Sequence, residues 1–145
     1  MDRRTATASL AAAAVAGLAA SSRPTEAQNP GRARPSFIET DDGASLFHVD
    51  WGTGKPVLFT HAWGLNADIW EYQLVELVDQ GLRCVAYDRR GHGRSSDPGR
   101  GYDYDRLADD LAAVINQLDL TDVTLVAHSM GNGEAVRYLR RHGSA

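Results

Sequence analysis

A chain of 145 residues has room for one folded domain, and 43% apolar with 23% charged residues is an ordinary globular composition. The net charge of −4 excludes the basic footprint of a nucleic-acid binder, so no nucleic-acid partner is expected. Cys84 is the one cysteine, which excludes an internal disulfide and leaves the compartment open; inside the apolar run 82–87 it reads as a small buried hydrophobe.

Residues 1–27 stand apart from any fold. Arg3 and Arg4 precede an uncharged run, 10–20, built from Ala, Leu, Val and Gly. This is the layout of a signal peptide, and the run is too short for a stable membrane anchor. A cleavage point follows Ala27, with Thr25 at the −3 position. The arginine pair suggests twin-arginine export, although the Phe-Leu-Lys type residues that usually follow are missing. The expected location is the periplasm or the exterior, and the alternative is a cytoplasmic protein with a disordered Ala-rich tail. Residues 28–35, with Pro30, Gly31 and Pro35, form a linker to a domain spanning 36–145.

From Ser36 the pattern turns to strand. Segments 37–40 and 45–51 flank Asp41-Asp42-Gly43 and predict a hairpin, with His48 on its surface side. The glycines of 52–56 form a turn and not a phosphate loop, because no helix follows. Residues 57–60 are apolar enough for a strand buried on both faces. Trp70, Leu74, Leu77 and Val78 then mark one helix stripe, capped by Asn66 or Asp68 and ended by Gly81. A strand at 82–87 leads into a Gly- and Arg-rich loop, 88–101. Leu107, Leu111, Val114, Ile115 and Leu118 mark another helix, with Asp109 and Asp110 expected outward. Strands alternating with helices at this spacing predict βαβ units and a parallel sheet.

The segment 123–133 organises the rest. Its β-forming start and helical continuation enclose Ser129 in an Ala-x-Ser-x-Gly setting, one methyl from the Gly-x-Ser-x-Gly nucleophile elbow. A serine raised above a sheet needs a very sharp turn, which holds its backbone in a strained region. Positions two before and two after must then be small, and Ala127 and Gly131 meet that demand. The plainer alternative is a serine helix cap, which needs neither Gly131 nor Gly133.

Phe59-Thr60-His61-Ala62-Trp63, the run Tyr87-Asp88-Arg89-Arg90-Gly91-His92-Gly93-Arg94-Ser95, and His128-Ser129-Met130-Gly131 occur in order. Together they resemble the α/β-hydrolase fold family, specifically its cofactor-free haloperoxidase and arylesterase branch. The resemblance implies an α/β fold with a mostly parallel, doubly wound sheet, of which this chain holds the N-terminal part, about five of eight strands. It implies Ser129 as nucleophile and the backbone N–H groups of Trp63 and Met130 as oxyanion hole. Ala62, Ala127 and Asn132 stand where relatives usually have glycine. His61 is expected to pack and hydrogen-bond within the oxyanion loop, and His92 to shape its own loop. The arginines 89, 90, 94 and 100 are expected on a solvated loop face. No residue set has metal-ligand spacing, and the resemblance implies neither metal nor prosthetic group.

In this fold the order along the chain is Ser, then acid, then His. Sixteen residues follow Ser129, and their one histidine, His142, sits 13 positions on. At about 1.5 Å per helical residue that is roughly 20 Å away, beyond hydrogen-bond reach. Glu134, the one downstream carboxylate, has no base to orient. The expected activity is hydrolysis of small-molecule carboxylic esters through an acyl-enzyme, with perhydrolase or haloperoxidase side activity, in a protein of which this chain is an incomplete piece lacking the triad acid and histidine. The alternative is an inactive hydrolase remnant or an interaction module pairing through an open sheet edge.

Overall fold

The computed structural model describes residues 36–143, so the signal-peptide and linker readings lie outside the described residues. Five strands form one sheet in the order β1-β2-β4-β3-β5. β1 (Phe37–Glu39) and β2 (Ser45–Trp51) make the expected antiparallel hairpin, with Ile38 opposite Leu46. β2 runs antiparallel to β4 (Arg83–Tyr87), while β3 (Pro56–Thr60) lies parallel to both β4 and β5 (Thr124–Ala127). Among the described residues β5 pairs with β3 alone and forms one edge of the sheet.

β3 and β4 are buried on both sides, as their unbroken apolar runs require. One face carries Leu58, Val85 and Tyr87 beneath α2 (Tyr104–Gln117), whose Leu111, Val114 and Ile115 close the layer. The other carries Val57, Phe59, Cys84 and Ala86 beneath Leu74 of α1 (Glu71–Asp79). Asn66 accepts from the Asp68 N–H and caps a 3₁₀ turn, Ala67–Trp70, that leads into α1. The C-terminus of α1 closes as a Schellman motif. Gly81 at φ +85° lets its own N–H reach Val78 O at 2.9 Å and the Leu82 N–H reach Leu77 O at 3.1 Å. Asp103 caps α2 by accepting from the Arg106 N–H.

Two expectations about facing are corrected. Asp110 is fully buried, because position 110 is one turn from Leu107 and Val114 and so lies inside the apolar stripe. It accepts from Arg90 Nε and Nη2, both at 2.6 Å. His48 is buried as well, since its neighbour across the ladder is the buried Tyr87 of the central β4.

The chain passes from β3 to β4 on one side and then returns past β3 to β5 on the other. The carboxyl ends of β3 and β5 therefore flank a reversal of strand order, the place where open α/β sheets form their crevices.

Candidate active site

β3 and β5 end level with one another. Thr60 is the register partner of Ala127, and the next N–H, of His128, donates to Thr60 O at 3.1 Å. Two turns leave these ends side by side: residues 61–66 after β3, and His128-Ser129 before α3 (Met130–His142).

Ser129 has φ 53° and ψ −115°, a region that side-chain-bearing residues avoid at a cost of about 1–3 kcal/mol. Its side chain makes no capping hydrogen bond to α3, which separates it from an ordinary serine cap. Ser129 is exposed at the turn. Gly131 explains how the turn can be so tight: a Cβ there would overlap Thr60 Oγ1 and stand 2.8 Å from Thr60 O. Gly133 lies under the Tyr104 ring, so α3 rests directly on the start of α2. Met130 opens α3, and its N–H has no partner within the helix.

The loop after β3 is held from beneath by His61, which is fully buried. The Arg89 backbone N–H donates to His61 Nε2 at 3.0 Å, and His61 Nδ1 donates to Ala62 O at 2.8 Å. With Nε2 accepting, the proton belongs on Nδ1, so the ring is neutral and both nitrogens are occupied. Burial holds its pKa down at about 4. His61 is thus a loop brace with no free nitrogen for base chemistry. Trp63 follows, its ring 65% exposed and edge-on to His92 at 5.2 Å. Its backbone N–H makes no backbone hydrogen bond among the described residues.

Asp88 ties this loop to the one after β4. It accepts from the Ala67 N–H at 2.7 Å, the Arg94 N–H at 2.8 Å and Arg94 Nε at 2.9 Å. Burial opposes its charge, yet Arg94 and these N–H groups hold the carboxyl below the usual range. Between the two loops lies a cleft of about 690 Å³ lined by Trp63, Leu65, Ile69, His92 and Tyr102. Ser129 is not part of that lining, but Trp63 is.

Of the four arginines after β4, Arg100 lies on a solvated loop face as expected, but Arg89 and Arg90 do not. Arg89 and Arg90 are fully buried, each opposite a buried carboxylate, and Arg94 is half-exposed against Asp88 and Asp68. Arg89 Nε and Nη2 both reach Glu134 Oε2, at 2.8 and 2.7 Å. Burial pushes the Glu134 carboxyl up and Arg89 down to about 10; the direct pair is what favours both charges. Sequence reasoning missed this pair. The signal was present, because Glu134 falls one turn beyond Gly131 and beside Ala135, on the buried stripe of α3.

His142 is far from the serine in function as well as in sequence. Its Nε2 lies 2.8 Å from Asp109 on α2, and its ring stacks on Tyr138. His128 is exposed, edge-on to Trp70. No histidine among the described residues hydrogen-bonds Ser129.

A family model described as the alpha/beta hydrolase fold matches residues 55–145. The chain belongs to the α/β-hydrolase fold family. It is 56% identical over 105 residues to a non-heme chloroperoxidase of Kitasatospora aureofaciens, covering 72% of this chain and 38% of the relative. It is 43% identical over 108 residues to a bifunctional esterase/perhydrolase of Acinetobacter calcoaceticus, covering 73% and 39%. The esterase of Exiguobacterium antarcticum superposes with a TM-score of 0.75 at 43% identity, covering 77% of this chain and 42% of that one. A bromoperoxidase from Bacillus anthracis gives 0.72 at 44% identity, over 74% and 40%. The chain therefore spans about two fifths of the length of these hydrolase-family relatives. The matches bear out the expected family, branch and fold.

Proposed function

We propose that this chain carries the nucleophile half of a serine hydrolase acting on carboxylic esters. The observation that carries the reading is the backbone of Ser129, at positive φ in a strand-to-helix turn whose hydroxyl caps nothing. Strain of that kind persists only where the surroundings impose it, and here Gly131 against Thr60 does so.

In the reaction, Ser129 Oγ attacks the ester carbonyl carbon while a base removes its proton. The backbone N–H groups of Trp63 and Met130 stabilise the oxyanion of the tetrahedral intermediate. Its collapse expels the alcohol, which takes up that proton, and leaves an acyl ester on Ser129. Water then attacks the acyl group, giving the carboxylic acid and restoring the hydroxyl. Hydrogen peroxide in place of water gives a peracid, which can oxidise halide. This accounts for the esterase/perhydrolase and chloroperoxidase names of the relatives within one mechanism. The base and its orienting acid come from the part of the fold that the relatives have beyond the matched region.

The test is labelling of the complete protein with a fluorophosphonate, together with p-nitrophenyl acetate hydrolysis. Both should be lost in Ser129→Ala. Hydrolysis that survives this substitution would rule out the serine mechanism.

A further inference from the structure

Three segments meet beneath the serine turn, and one side chain touches all of them. Arg89 stands at the end of β4; its Nε and Nη2 hold Glu134 on α3, and the same Nη2 donates to His61 O at 2.8 Å, at the base of the loop after β3. Its backbone N–H supports the His61 ring from below. Both proposed oxyanion donors rest on these contacts. Met130 is one turn before Glu134 on the same helix, and Trp63 is two residues beyond His61.

The pair is poorly explained as a source of stability. Both side chains are desolvated, at 1% and 0% exposure, while Arg89 Nη1 and Glu134 Oε1 have no hydrogen-bond partner among the described residues. A well-packed apolar pair of similar volume would be as stable or more so. What apolar side chains cannot supply is a planar fork that fixes two directions at once. Asp110 and Arg90 offer a contrast, since there the carboxylate accepts two 2.6 Å bonds and links no part of the site.

We propose that Arg89, clamped to Glu134, is a positioning residue that sets the spacing between the two oxyanion donors. This rests on the serine-hydrolase reading above. Arg89 touches no reacting atom; it fixes the loop carrying Trp63 and the helix carrying Met130 to one another. The geometry for the oxyanion is then set by a rigid group and not by the loop backbone alone.

The test uses the complete protein with p-nitrophenyl acetate. Arg89→Lys keeps the charge but not the fork, and Arg89→Leu with Glu134→Leu keeps the packing without either charge. Each folded variant should lose about 10- to 100-fold in kcat with KM within about twofold, at or below the cost of removing one oxyanion donor outright. Binding of a phenylboronic acid, which mimics the tetrahedral intermediate, should weaken by the same factor. Amide exchange at His128 and Gly131 should speed up in Arg89→Lys, with Leu58 and Val85 unchanged. A folded variant that keeps the parental kcat overturns the proposal, as does a kcat loss that only tracks the unfolded fraction. If the double variant does not fold, Arg89→Lys decides; if neither folds, the pair is structural and the proposal fails. Activity persisting in Ser129→Ala would instead remove the serine reading, and the exchange result would still report on the clamp.

Discussion

Gly131 lies against Thr60 so closely that a Cβ at position 131 would stand 2.8 Å from the Thr60 carbonyl oxygen. Inside a helix, alanine normally outranks glycine by about 1 kcal/mol. Here the obstacle is backbone at the end of a central strand, which cannot step aside. Overpacking of this kind costs about 1–3 kcal/mol, so the clash wins over the propensity gain. Gly131→Ala should lower stability in urea melts. Gly133→Ala meets the outer ring of Tyr104, a 45% exposed side chain that can swing away, and should cost much less.

Ser129 pays for its position with its backbone. At φ 53° a glycine would relieve steric strain of about 1–3 kcal/mol, against a chain-entropy cost of about 0.5–1 kcal/mol. Ser129→Gly is therefore expected to raise stability by about 1 kcal/mol while abolishing fluorophosphonate labelling. Chemical denaturation alongside labelling checks both halves, and a loss of stability would remove the strain argument.

Asp109 and Asp110 are neighbours with opposite fates. Asp110→Asn strands the buried Arg90, and breaking such a pair costs about 3–5 kcal/mol. Asp42 continues to pair with Arg90 at 3.0 Å, so the lower end is expected. Asp109 joins Arg141 and His142 at the surface between α2 and α3, where a pair contributes about 1 kcal/mol or less. Asp109→Asn should have a small effect that vanishes in high salt, whereas the Asp110→Asn loss should persist. Thermal melts at low and high ionic strength distinguish them.

His61 makes part of the stability pH-dependent. Burial lowers its pKa from 6.5 to about 4, so above pH 6.5 the ring is neutral in both states and its contribution is complete. Between 6.5 and 4 the unfolded chain binds the proton first, and stability falls as the pH falls. A shift of that size corresponds to a loss on the order of 3 kcal/mol. In His61→Gln this component is absent, so the stability gap between parent and variant should narrow from pH 7 to pH 4. Carboxylates common to both proteins cancel in the comparison. A constant gap would mean that the ring is not held neutral.

Cys84 should be silent. It is fully buried between β3 and β2, and burial pushes its thiol pKa up. Iodoacetamide should label it only in denaturant, and labelling of the native protein would place it at the surface.

Much of this was legible in the residues themselves. The alternation at 45–51, the apolar runs of β3 and β4 and the i, i+4 stripes of α1 and α2 report local periodicity, which needs no knowledge of the fold. Ser129 stood out through the small residues at 127 and 131, because a sharp turn limits what fits on either side of it. The facing of Asp110 was also written in the helix period, but its charge argued for solvent and prevailed. His48 went the same way, an ionisable side chain on a strand whose neighbour turned out to be central.

By itself the sequence determined the order of strands and helices, the family, and the serine that the turn presents. Each of these depends on residues close together along the chain. Only the tertiary structure decided which distant groups meet: Thr60 with Gly131, His61 with Arg89, and Arg89 with Glu134, 45 positions away. Whether an ionisable side chain is solvated or buried depends on finding an opposite charge with the right geometry. That partner is supplied by a neighbouring strand or helix, and no local pattern encodes the meeting.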